Sequence, residues 1–129
     1  MSSQRQNLSS NAPWESQVGY SRAVVVGNQM EISGTVSVDA GQVVGVGDAY
    51  KQTEFILGII KEVLQQAGFD LKQVVRTRMF VTDIDQWETI GKAHGAVFGD
   101  IRPVTTMVEV SRLIHPDYLV EIETSAVKV

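Results

Sequence analysis

Leu119-Val-Glu-Ile-Glu-Thr-Ser-Ala-Val127 is the stretch on which the fold turns. At the two-residue period of a strand, Val120, Ile122, Thr124 and Ala126 share one face while Glu121, Glu123 and Ser125 share the other. The first row asks for cover by other elements, and the second is mixed and polar. Val104 to Val110 reads as a neighbouring strand, with Val104, Thr106, Val108 and Val110 expected to meet helices and Thr105, Met107 and Glu109 on the opposite side. The turn-prone Ile114-His-Pro-Asp117 separates the two.

Upstream, Val74 to Thr82 is β-branched, with Arg76, Arg78 and Phe80 on one face. Arg22 to Gly34 reads as two β-rich runs around a Gly27-Asn28 turn, placing Glu31, Ser33 and Thr35 together. Between these runs the period changes to that of a helix: Ile56, Ile59, Ile60, Val63, Leu64 and Ala67 form one stripe from the N-cap Asp48 to Gly68 at C′. A second helix is expected from an Asp85-Gln-Trp-Glu88 capping box to about Phe98, with Gly99 ending it. The order is ββ, α, β, α, ββ, which implies a sheet roofed by two helices on one side. Its other side mixes charges and hydroxyls with large apolar groups such as Phe80 and Met107, a surface suited to a ligand or another subunit, so self-association is expected from pattern alone.

At 129 residues the chain has room for one domain. Residues 1–12, rich in Ser, Gln and Asn, read as a mobile tail and 13–129 as the domain; no secretory signal and no apolar run near the ~20 residues of a membrane span is present, so the cytoplasm is the expected compartment. A formal charge of -4 without a Lys/Arg cluster argues against nucleic acid as a partner. With no cysteine, thiolate catalysis, disulfides and Cys-ligated zinc are excluded.

Few motifs carry chemistry. Gly45-Val-Gly47-Asp48 precedes a helix, but Tyr50 stands where a dinucleotide loop needs a small residue, and a loop entering a helix is the simpler reading. His94 and His115 are separated and lack ligand spacing, so no metal site and no cofactor is expected. Glu121 and Glu123 point the same way, with Glu109 on the adjoining strand. They serve either as a general acid/base or as cross-strand partners of Arg76 and Arg78.

The blocks Gly19-Tyr20, Ile32-Ser-Gly34, Gln66-Ala-Gly68, Val75-Arg-Thr77, Phe80-Val-Thr-Asp83, Pro103, Val108-Glu-Val-Ser-Arg-Leu113, Val120-Glu-Ile-Glu123 and Ala126-Val127 occur in the order of the YjgF-like or Rid (reactive intermediate deaminase) family, which the chain resembles over nearly all of its length after residue 12. The resemblance implies an α+β, chorismate-mutase-like subunit whose mostly antiparallel sheet packs two helices on one face. It also implies a homotrimer with a central barrel and small-molecule clefts between subunits, without a cofactor.

Enzymes of that family hydrolyse 2-imino or 2-enamino acids to 2-keto acids and ammonia. By resemblance Glu121 is the residue that handles the attacking water, and Tyr20, Ser33 and Gly34 belong to the cleft. Three cleft positions depart from the family: Thr105 replaces the carboxylate-binding arginine, Met107 a cysteine and Gly91 an asparagine. Losing a charged hydrogen bond of roughly 1.5–3 kcal/mol weakens carboxylate binding by about 10- to 150-fold. Arg22, Arg78 and Arg102 are candidates to replace it. The expectation is therefore a divergent imine or enamine hydrolase, or else a non-catalytic trimer that binds a small ligand or partner in the same cleft.

Overall fold

The computed structural model describes residues 4–129. Six strands form one sheet in the order β1 (Arg5–Leu8), β2 (Ala23–Val26), β3 (Gln29–Thr35), β8 (Val120–Val127), β6 (Val74–Val81), β7 (Val104–Glu109). Every pairing is antiparallel except β6 with β7, which run parallel and are joined by a helix. A separate two-residue hairpin, β4 (Val38–Asp39) and β5 (Gln42–Val43), interrupts the loop before the first long helix.

That helix, α2 (Ala49–Gln66), begins where the Asp48 side chain accepts from the Lys51 amide at 2.9 Å and ends before Gly68, whose φ of +76° only glycine adopts freely. Ile56, Ile60 and Leu64 are fully buried on its inner stripe, and Val63 nearly so. Each such side chain contributes roughly 1.5–3 kcal/mol of transfer free energy. They meet the inward row of β8 (Val120, Ile122, Ala126), Met79 and Val81 of β6, and Met30 and Ile32 of β3 in a single core. Helix α3 (Trp87–Phe98) completes the cover with Ile90, Ala93 and Phe98.

Four expectations are corrected. The tail is structured from residue 5: β1 pairs with β2 in register Arg5↔Val26 to Leu8↔Ala23, and Pro13–Val18 form a short helix, α1; Met1 to Ser3 lie outside the described residues. Polar Arg-Gln-Asn carries no strand signal of its own, and only the waiting edge of β2 organises it. The serines expected to be mobile hold Glu15, which accepts from Ser9 Oγ, Ser10 N and Ser10 Oγ. Burial works against its charge, but these bonds and Arg22 prevail, leaving its carboxyl below the usual range.

The start of α3 also differs. Asp83, not Asp85, is the capping residue: it accepts from the Asp85 amide at 3.0 Å and opens a 3-10 turn that runs into the helix. On β7 the two faces are exchanged relative to expectation. Thr105 and Met107 pair with the buried Thr77 and Met79 and so lie on the helix side, whereas Val104 and Val108 stand exposed on the open side. Glu109 is on the helix side as well, accepting from the Ile84 amide, and does not join Glu121 and Glu123. Finally, Thr35 is buried rather than aligned with Glu31 and Ser33, because β3 is irregular. No helix among the described residues is long and apolar enough to cross a membrane.

Candidate functional site

The irregularity in β3 builds the site. Ile32 pairs with Thr124 and Thr35 with Ile122, so Ser33 and Gly34 together oppose Glu123. Such a bulge re-aims the chain locally. It keeps Ser33 on the open face, turns Thr35 into the core, and presents the bare backbone of Gly34 to the side chain of Glu121. A Cβ at Gly34 would overlap the Glu121 carboxylate, so the absence of a side chain here makes the space that the acid occupies.

Arg22 Nη1 donates to Gly34 O at 2.9 Å and to Thr35 Oγ1 at 3.0 Å, which ties the bulge to β2 and sets a positive charge near Glu121. Burial pushes the Glu121 carboxyl above the usual range, the charge of Glu123 adds to that, and Arg22 offsets part of it. Tyr118 lies close enough that burial and the Glu121 charge raise its phenol above the ordinary value. Sequence reasoning missed Tyr118; its place just ahead of β8, three residues before Glu121, was the available signal.

Across the open face, Glu123 takes the partner expected for the pair: Arg78 reaches it at 3.4 Å, with both side chains about half exposed. Arg76 stands opposite Ser125, whose hydroxyl donates to Glu31 at 2.6 Å. A concavity of about 590 Å³ opens here, lined in part by Tyr20, Ser33, Glu31, Arg76 and Arg78. Arg102, the third candidate, has a φ of +57° and donates through Nε to Gly99 O at 3.1 Å. Of the three arginines, Arg22 is therefore the one whose charge bears on Glu121.

The other predicted residues lie elsewhere. Thr105 Oγ1 is 2.8 Å from Thr77 Oγ1, which is 2.9 Å from His94 Nε2 on α3. Met107 is partly buried against the core, and Gly91 borders a shallow hollow on α3 beside Trp87 and Lys92. Thus Gly34 and Glu121 come together, Tyr20 and Ser33 share the open groove, and Thr105 and Met107 project from the opposite side of the sheet at its edge.

His94 is held by Thr77 and meets the Phe98 ring at a tilt of 42°, with burial lowering its pKa, while His115 Nδ1 accepts from the Asp117 amide. Gln52, fully buried, was also missed. Its amide donates to Gly45 O and Asp117 O and accepts from Leu119 N, holding the entry of β8 and so the position of Glu121.

Comparison with known proteins bears on this arrangement. The sequence model described as Endoribonuclease L-PSP matches residues 9–128. The 3-aminoacrylate deaminase RutC of Acinetobacter baylyi is 35% identical over 108 residues, covering 83% of this chain and 85% of that protein. A crystal structure of a YjgF/YER057c/UK114 family member from Mycobacterium tuberculosis superposes with a TM-score of 0.88 at 46% identity, covering 97% of this chain and all of the other. The YjgF gene product of E. coli gives a TM-score of 0.80 at 28% identity, covering 95% and 94%. The chain belongs to the YjgF, or Rid, family, whose sequence model carries the description Endoribonuclease L-PSP.

Proposed function

We propose that this protein hydrolyses a small imine or enamine to a carbonyl compound and ammonia, in clefts between the copies of a homotrimer, with Glu121 as the proton-handling group. The observation that carries the reading is Glu121 itself: a carboxyl with a raised pKa, seated against the bare backbone of Gly34 and beside Arg22. Its charged form takes a proton from water as the water oxygen bonds to the imine carbon. Its protonated form returns that proton to nitrogen, giving a carbinolamine; a second transfer of the same kind, from the carbinolamine hydroxyl to nitrogen, forms the carbonyl as the C–N bond breaks and ammonia leaves. A carboxyl whose pKa burial raises suits both halves of this exchange. A deaminase among the relatives favours the same chemistry.

The case for clefts between copies rests on placement. Glu121 lies on the open face, and Thr105 and Met107 lie on the helix side at the β7 edge. A substrate that meets both sets needs a second chain to bring them together, and exposed Val104 and Val108 beside half-buried Phe80 give the open face apolar area to cover. Tyr20, Ser33 and Gly34 are then substrate contacts, while Gly91, Thr105 and Met107 shape the far wall.

The test is the decay of an imine generated in situ by loss of HCl from an N-chloroamine. Wild-type protein accelerates it, and Glu121→Gln lowers kcat by about 10²- to 10⁴-fold; a rate unaffected by the wild-type protein sinks the proposal. A second reading, a non-catalytic trimer holding a small ligand or partner, is favoured by the joint replacement at Thr105, Met107 and Gly91. It predicts thermal stabilisation by keto acids or amides with no imine turnover. The endoribonuclease reading gains no support from the imidazoles, since His94 and His115 are engaged with separate elements.

A further inference from the structure

The row of side chains Thr105, Thr77 and His94 is not used by the chemistry above. Thr77 is fully buried, and its hydroxyl lies between His94 Nε2 at 2.9 Å and the hydroxyl of exposed Thr105 at 2.8 Å. The only other partner of the Thr105 hydroxyl among the described residues is Pro103 O at 3.4 Å, at the limit of hydrogen-bonding length. A partly buried imidazole is thus connected, through one enclosed hydroxyl, to a second hydroxyl that faces out and is poorly occupied.

Each hydroxyl has one proton, so the tautomer of His94 sets the direction of the whole row. With Nε2 bare, Thr105 donates to Thr77, which donates to His94, and Thr105 then offers lone pairs outward. With Nε2 protonated, His94 donates to Thr77, Thr77 to Thr105, and Thr105 offers its proton outward. Neither arrangement carries a charge, and burial holds the His94 pKa down, which keeps the ring neutral near pH 7. Arg102, next to Pro103, is turned back onto Gly99 O.

We propose that this row is a specificity device that selects a substrate with a neutral, amide-like end group at Thr105 rather than a carboxylate; this rests on the cleft reading given above. A carboxamide has both a donor and an acceptor and fits either direction of the row. A carboxylate accepts only, fits one direction, and would exchange its hydration for a single neutral bond. Thr77 and His94 act here as positioning residues, and Thr105 is the contact.

The experiment compares pyruvamide with pyruvate by titration calorimetry on the full chain, alongside turnover of the imines formed from N-chloroalaninamide and N-chloroalanine. Wild-type protein is expected to bind pyruvamide at least about three-fold more tightly. Thr105→Val should weaken pyruvamide by roughly three- to ten-fold, the range of one neutral hydrogen bond, and leave pyruvate nearly unchanged. Thr105→Arg should reverse the preference.

His94→Phe, which keeps a ring against Phe98, should lower the amide-to-acid ratio through KM with kcat nearly constant, and His94→Gln should restore part of it. Equal or tighter binding of pyruvate, binding of neither, or a ratio untouched by Thr105→Val overturns the proposal. Hydrolysis of both imines with equal kcat/KM overturns it while leaving the hydrolase reading intact. An amide preference lost in Thr105→Val without turnover of either imine upholds the subsite and removes the hydrolase.

Discussion

The two faces of the sheet follow different physical rules. On the helix side, Val120, Ile122, Met79, Val81, Met30 and Ile32 need only shape and apolar area, and nearly any of them is recognisable from its period. On the open side, Glu121, Glu123, Arg78, Glu31 and Ser125 act in pairs whose outcome depends on a bulge, a bare glycine and the reach of one arginine. Stability resides mainly on the first face. The candidate chemistry resides on the second, where each interaction is individually weak and position decides everything.

Substitutions should break this contrast in a graded order. Ile122→Ala, at a fully buried position in the middle of β8, should cost about 2–5 kcal/mol and be visible as a large loss in denaturation midpoint. Gln52→Ala strips three backbone groups of their partner; at about 1–3 kcal/mol for each buried group left unsatisfied, it should approach the core substitution in stability while also displacing Glu121. Gly34→Ala is the sharpest probe of the difference. Its φ is unremarkable and the atoms it would meet belong to the flexible end of Glu121, so folding should change by about 1 kcal/mol or less while turnover falls by an order of magnitude or more.

Charge changes come lower in the order. Because the folded pKa of Glu121 is raised, its protonated form is favoured by folding. That contribution is complete below the unfolded value and is lost as pH rises through the folded one. Glu121→Gln should therefore raise the melting temperature near pH 8, with the gain fading toward pH 4; a gain that grows as pH falls would contradict the assignment. Arg78→Ala removes a half-exposed ion pair worth about 0–1 kcal/mol, an effect that 0.5 M salt should erase.

How far the sequence alone could be read follows from the same contrast. Both long helices and the orientation of β8 were legible because Ile56, Ile60, Leu64, Ile122 and Ala126 sit at clean periods and the whole row is buried. The faces of β7 were not, since Val-Thr-Thr-Met-Val-Glu is about equally apolar on both sides and its orientation is set by the parallel crossover from α3. Strand β1 was invisible because its order comes entirely from β2. Of the candidate site, Glu121 stood out by strand period as one of an acid pair and took its role from family resemblance, which also supplied Gly34, but their contact depends on a bulge that no local pattern announces. Gln52 was missed because its partners Asp117 and Leu119 are distant in sequence, whereas Tyr118, three residues before Glu121, lay within reach of a local reading.

The proposed chemistry depends on the open face being shared between copies, so that Glu121 meets a wall supplied by another chain. Sedimentation equilibrium at micromolar concentration tests this most directly. A single species of three chain masses is expected; a species of one chain mass, unchanged as concentration rises, would leave Glu121 without that wall and overturn the proposal.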